Sequence, residues 1–241
     1  MNVPMIRALL FDTFGTVMNW RESIIDDFRS FGRRTGTDVD WEAFVDEWKT
    51  AWHLGEEERI HLNRVWHRLR PWPDAVAGLE RLKRRYVIAP LSNSDLDCLV
   101  SMAKYAGLPW DVILCAELFR HYKPDPEVYL QAIALLNLAP SQVMIVAAHN
   151  YDLRAARSHG MATAFVPRPT EYGPGQTTTP TLYLLHSSVP SYDETDKGTE
   201  TARYECEHIG FGHSGVNKSL EGKIEARPCE LASTHPARWI R

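Results

Sequence analysis

A chain of 241 residues, 44% hydrophobic and 24% charged, has the composition of one full-sized globular domain with a small insert and argues against disorder throughout. A formal net charge of −4, with no Lys/Arg cluster interleaved with aromatics, offers no track for a nucleic-acid backbone. The four cysteines, at 98, 115, 206 and 229, lack Cys-x-x-Cys spacing and read as reduced; no apolar run approaches a membrane span, and MNVPMIRALLFD lacks the form of a secretory signal, so a cytoplasmic location is expected.

The apolar run IRALLF at residues 6–11 predicts a first strand, cut short by the break in FDTFGTV. Residues 20–69 read as helical. WRESIIDDFRSFGRR sets Trp20, Ile24, Ile25, Phe28 and Phe31 at helical spacing, and DVDWEAFVDEWKTAW repeats the pattern with Trp41, Phe44, Val45, Trp48 and Trp52 behind an Asp40 cap. A third helix, about Glu56–Leu69, must stop before Pro71-Trp72-Pro73, where two prolines forbid continuation.

From Asp74 the pattern alternates: helix AVAGLERLKRR, strand YVIAPLS, helix DLDCLVSMAKYAG, strand WDVILCA, helix DPEVYLQAIALLN, strand QVMIVAA, helix YDLRAARSHG, strand MATAFVP. Near-continuous Val/Ile/Leu strands between amphipathic helices predict a parallel sheet buried on both faces: an α/β, doubly wound core with a small helical cap inserted after strand 1. In such sheets ligands gather at the carboxyl ends of the strands. Those ends deliver Asp12 with Thr16, then Ser92 and Asn93, then Lys123 ahead of Pro124-Asp125-Pro126, then His149 and Asp152. Singly, each is an ordinary polar loop residue; together they supply a nucleophilic carboxylate with supporting charges.

FDTFGTV, LSNS, YKPDPEVY and VAAHNYDLRAA, in this order and spacing, resemble the four motifs of the haloacid dehalogenase-like superfamily, and more narrowly its type II (S)-2-haloacid dehalogenase branch. The likeness runs from about Met5 to Gln176. It implies a catalytic core of residues 1–19 and 70–176 and a cap at 20–69. The implied reaction is hydrolytic removal of halide from short 2-haloacids, with inversion at C2, through an aspartyl ester. Phosphatases of the superfamily carry a second acid two residues after the nucleophile to protonate a departing alkoxide, and bind Mg²⁺ partly through an acid of the fourth motif. Here those places hold Phe14 and Ala148. A halide leaves without a proton, so both departures favour metal-free displacement on carbon, with no cofactor and with a small 2-haloacid and water as the partners.

By that resemblance Asp12 is the nucleophile, Lys123 holds it, and Asp152 orients Lys123 and the hydrolytic water. Thr16 either hydrogen-bonds Asp12 or closes the turn after Gly15. Ser92 and the backbone N–H groups after Asp12 suit the substrate carboxylate, Asn93 is assigned to the halide, and Phe14 lines the pocket. Tyr129 belongs either to the Lys123 side of the pocket or to plain core, and His149, where relatives carry Asn or Ser, is either a water-proton acceptor or an ordinary loop histidine. Relatives place an Arg after a cap Trp; this chain has Lys49 after Trp48, which keeps the charge and loses the planar fork, and which reads either as a halide grip or as part of a solvated helix face beside Asp46 and Glu47.

The cap reads as shortened, since EEERIHLNRVWHRL follows WKTAWHLG directly. Residues 177–241 form an atypical tail rich in Thr, Ser, Gly and Pro, suited to disorder, in which Cys206, His208 and His213 lack finger spacing and read as incidental. Homodimers are expected by resemblance. The competing readings are a Mg²⁺-dependent phosphatase of the same superfamily and a folded, catalytically inactive relative.

Overall fold

The structure is a computed structural model, and it describes residues 5–46 and 64–176. Five strands form one sheet: β1 (Ala8–Phe11), β2 (Val87–Ser92), β3 (Leu114–Cys115), β4 (Val143–Ala147) and β5 (Ala162–Phe165), in the order β3-β2-β1-β4-β5. Every pairing is parallel, with Leu9 of β1 opposite Ile88 and Met144. The expected doubly wound α/β core is therefore present. Alternation along β1 splits its residues between two buried faces. Leu9 and Phe11 join Ile88, Val146 and Ala164 on one face; Ala8 and Leu10 join Leu91, Ile145 and Ala147 on the other.

The helices are α1 (Trp20–Thr35), α2 (Trp41–Asp46), α3 (Ala75–Lys83), α4 (Leu96–Ala106), α5 (Ala116–Phe119), α6 (Pro126–Leu136) and α7 (Asn150–Ser158). Their limits follow from local chemistry. Asp40 Oδ1 accepts from Ala43 N at 3.1 Å, the cap expected for α2. Asp95 accepts from Cys98 N at 2.7 Å and starts α4, which ends on Gly107 at φ 68°. Ile24, Ile25 and Phe28 of α1 bury in the same cluster as Leu9 and Phe11, so the helical insert shares the core of the sheet's first face.

The two crossings into the insert run side by side. Trp72 N donates to Val17 O at 2.9 Å, Asn19 N donates to Arg70 O at 2.9 Å, and Met18 and Pro71 form an antiparallel bridge. No helix among the described residues is long and apolar enough to cross a membrane.

Two expectations need correction. The strand expected over WDVILCA shrinks to Leu114–Cys115, because Asp111 Oδ2 takes the Ile88 N–H at 3.0 Å and a side chain thus fills the place of a ladder rung. Helix α5 then begins at once, unforeseen in the sequence. Leu69, expected to end the third insert helix, instead lies in extended backbone after a 3₁₀ turn at Trp66–Arg68. The start of that helix, Trp48, Lys49, Trp52 and the whole 177–241 tail lie outside the described residues.

Candidate active site

A sheet ordered 3-2-1-4-5 reverses its winding between β1 and β4, the topology that places a ligand crevice at the carboxyl ends of those strands. Asp12 follows β1 there, its N–H donating to Val146 O at 3.0 Å. Gly15, at φ 81°, turns the chain back so that Thr16 faces Asp12; a Cβ on Gly15 would lie 2.0 Å from Glu171 Oε1.

Three donors converge on the buried Asp12 carboxylate. Lys123 Nζ donates to Oδ1 at 2.8 Å, Thr16 Oγ1 donates to Oδ2 at 2.7 Å, and His149 Nδ1 lies 2.7 Å from Oδ2. The Thr16 hydroxyl also accepts from Ala148 N at 2.8 Å, so it links β4's end to the Asp12 carboxylate and does more than close a turn. Lys123, fully buried, pairs with Asp152 as well, and Tyr129 OH donates to Asp152 Oδ1 at 2.6 Å. Tyr129 therefore joins the core and the polar cluster: it belongs to the buried group that holds Val128 and Ala132, while its hydroxyl donates to Asp152.

Burial alone would raise the Asp12 carboxyl, yet the charges of Lys123 and His149 win and hold it well below the usual carboxylate range. Burial works against the Lys123 ammonium, but Asp12 and Asp152 raise it above an ordinary lysine. Asp152 goes the other way: burial raises its carboxyl, with Asp12's charge adding to the effect, despite the attraction of Lys123. His149 is opposed by burial and still pushed up to about 10, because Asp12 and Glu171 face its two ring nitrogens. The site thus rests with an ionised Asp12 carboxylate between two cations.

Glu171 is the residue missed in the sequence. It is 4% exposed, its Oε1 lies 2.9 Å from His149 Nε2, and it accepts from Trp20 Nε1 at 3.2 Å. Its sequence signal is positional alone: Arg168-Pro169-Thr170-Glu171 leaves the carboxyl end of β5, the edge that also supplies Asp12, Ser92 and His149. Arg168 was missed too; it donates to Thr16 O at 2.9 Å and to Asp74 Oδ1 at 2.8 Å and lies over the Trp72 ring.

Ser92 Oγ, at the end of β2, is buried with no hydrogen-bond partner among the described residues. Asn93 binds the Lys123 backbone at both ends of its amide, Nδ2 to Lys123 O at 3.0 Å and Oδ1 from Lys123 N at 2.6 Å. Phe14 meets the Trp66 ring edge-on with centroids 5.2 Å apart, and Trp66 stacks on Trp20, giving the crevice an aromatic wall. Among the sequence-predicted residues the structure brings together Asp12, Thr16, Lys123, Tyr129, His149 and Asp152, with Ser92 and Asn93 at the adjoining strand end; Lys49 lies outside the described residues.

A magnesium ion fits this donor set poorly. Lys123 and His149 occupy the flanks of Asp12 that a cation would need, and Phe14 and Ala148 present no side-chain oxygen. Among the described residues, no three His, Cys, Asp or Glu side chains are grouped to hold a metal ion.

Residues 6–160 match the family model of the haloacid dehalogenase-like hydrolases. The chain is similar to (S)-2-haloacid dehalogenase 4A of Burkholderia cepacia, 27% identical over 203 residues that cover 70% of this chain and 88% of that protein. Among solved structures it is similar to the L-2-haloacid dehalogenase PA0810, 42% identical with a TM-score of 0.68 over 71% of this chain and 88% of that one. It is likewise similar to the defluorinating L-2-haloacid dehalogenase Rha0230, 39% identical with a TM-score of 0.70 over 74% and 89% of the two chains.

Proposed function

Since the chain belongs to the haloacid dehalogenase-like hydrolase family, we propose from the geometry of its site that it hydrolyses short (S)-2-haloalkanoic acids to 2-hydroxy acids. The observation that carries the reading is the ionised Asp12, held by three donors, with Phe14 standing where an acid partner for an oxygen leaving group would be. Asp12 Oδ1 has one of those donors and Oδ2 has two, so Oδ1 has the more available electron pair and attacks C2. The C2–halogen bond breaks with its electrons going to the halide, and Asp12 becomes an ester. Ser92 Oγ, buried and unpartnered, suits the substrate carboxylate.

Water then adds to Asp12 Cγ. Asp152, with its raised carboxyl, takes the first water proton. As the Cγ–Oδ1 bond breaks, Lys123 gives a proton to Oδ1, which departs as the hydroxyl of the product, and Asp152 reprotonates Lys123. The second water proton leaves the regenerated carboxyl as the counterpart of the halide. Tyr129 holds Asp152 in line, and Asn93 fixes the backbone of Lys123 in addition to the halide contact that resemblance assigns to it. We place the division between core and cap at 19 and 70, give Lys49 the halide-gripping role of the family arginine, and propose a homodimer on resemblance alone, to be tested by sedimentation.

The test is chloride release from each enantiomer of 2-chloropropionate. Release from the (S) form that is abolished in Asp12→Asn and indifferent to EDTA supports the reading. Turnover of phosphate esters that EDTA removes identifies a phosphatase, and no turnover of either class identifies an inactive relative. After repeated cycles in heavy-oxygen water, label must be found in Asp12.

A further inference from the structure

We propose that Thr16 and His149 form an oxyanion site around Asp12 Oδ2 for the hydrolysis step, and that Glu171 is the positioning residue that keeps the His149 imidazole charged and aimed once Asp12 has become an ester. The inference rests on the dehalogenase reading and deepens it.

Both donors already lie 2.7 Å from Oδ2, within the range at which a developing oxyanion is stabilised. If Oδ1 attacks the substrate, Oδ2 becomes the ester carbonyl oxygen. Water attack on Cγ drives the carbonyl electron pair onto Oδ2, where the Thr16 hydroxyl and the His149 Nδ1–H meet it without moving. Collapse returns that pair to the Cγ–Oδ2 bond and expels Oδ1 with the product, protonated by Lys123 as above. His149 gives up no proton in the cycle.

Alkylation creates a difficulty that Glu171 resolves. In the resting site the ring faces two carboxylates, through Nδ1 to Asp12 and through Nε2 to Glu171. Esterification cancels the first of these charges at the moment when an imidazolium is most useful. Glu171 remains, and it is anchored independently of His149: Trp20 Nε1 donates to it, and it lies against Gly15, where a Cβ would collide with it. The other charged or titratable groups around the pair are Lys123 and Asp152 on the far side of Asp12, Tyr151 stacked on the His149 ring, and Tyr172 and Arg168 beside Glu171. Among the described residues of this cluster, only Glu171 faces the ring with a negative charge after Asp12 is alkylated.

The experiment is rapid-quench turnover of (S)-2-chloropropionate, following chloride and the intact mass of the protein together. His149→Leu is expected to release one chloride per site in a burst, to accumulate the Asp12 ester, and to break it down ~10²–10³-fold more slowly than the wild type. His149→Gln, which keeps a neutral donor, falls between the two and serves if the leucine variant does not fold. In the wild type, ester breakdown declines as pH rises and His149 deprotonates; in Glu171→Gln that decline moves to lower pH, a shift that loss of packing alone would not produce. Ester breakdown that keeps rising with pH beyond the ionisation of Asp152, and loses that rise in the His149 variants, would make His149 a base and overturn the proposal. So would unchanged turnover in both His149 variants, or a leucine variant that makes no ester. A wild type releasing no chloride from either enantiomer sinks the dehalogenase reading itself, and the oxyanion site with it.

Discussion

Replacing Thr16 with valine isolates one hydroxyl that serves two buried partners. Valine keeps the shape and removes the oxygen that donates to Asp12 Oδ2 at 2.7 Å and accepts from Ala148 N at 2.8 Å. Ala148 is 6% exposed, so its N–H is left with neither protein nor bulk-water partner, at a cost of ~1–3 kcal/mol. The lost bond to an ionised carboxylate adds ~1.5–3 kcal/mol. The two losses share one atom and do not simply add, so ~3–5 kcal/mol is expected, or a fall in Tm on the order of 10 °C for a domain of this size. Thr16→Ser keeps the hydroxyl and gives up one methyl, costing ~1 kcal/mol. Urea unfolding near neutral pH, followed by circular dichroism on all three proteins, measures the gap. If valine and serine variants unfold at the same urea concentration, the hydroxyl is not the link between β4 and the Asp12 carboxylate.

Tyr129→Phe removes the donor to Asp152 Oδ1 while leaving the ring packing intact, and should lower stability by ~1.5–3 kcal/mol in thermal melts; an unchanged Tm would show that the 2.6 Å contact contributes nothing. His149 is raised from 6.5 to about 10 on folding, so its ion pairs contribute fully below pH 6.5 and are lost as pH rises through about 10. The stability advantage of the wild type over His149→Gln should therefore shrink across that interval, by at most ~5 kcal/mol, and a pH-independent difference in urea unfolding would refute it. Gly15→Ala places a Cβ 2.0 Å from Glu171 Oε1 at a backbone φ of 81°, so it should push Glu171 off His149 and lower the histidine's titration midpoint as read by NMR; an unmoved midpoint contradicts the contact.

The sheet was legible because its central strands are buried on both faces, which forces the continuous apolar runs of LLF, VIAPLS and VMIVA. Strand β3 misled because WDVILCA has the same texture, and nothing local reveals that the Asp111 side chain intercepts the Ile88 N–H. Asp12, Thr16, Ser92, Asn93, Lys123, His149 and Asp152 were singled out by inspecting the carboxyl ends of strands, while Tyr129 and Lys49 came from the resemblance alone. Glu171 escaped because it sits six residues beyond Phe165, after a proline, and no sequence spacing reveals that a turn at Gly15 leaves a hollow for its carboxylate. Tyr129 could not be assigned from sequence because a phenol on an apolar helix face can pack with its ring and hydrogen-bond with its oxygen, and it does both here.

The paired crossings at Met18 and Pro71 have an evolutionary reach. The backbone leaves the sheet and returns to it through one zipped doorway, so the parts of the helical excursion that do not share the sheet's core, as Ile24, Ile25 and Phe28 do, can be lengthened, trimmed or exchanged without altering the path that sets Asp12 against Lys123. A lineage built this way can revise which molecules it admits while its reactive centre stays as inherited.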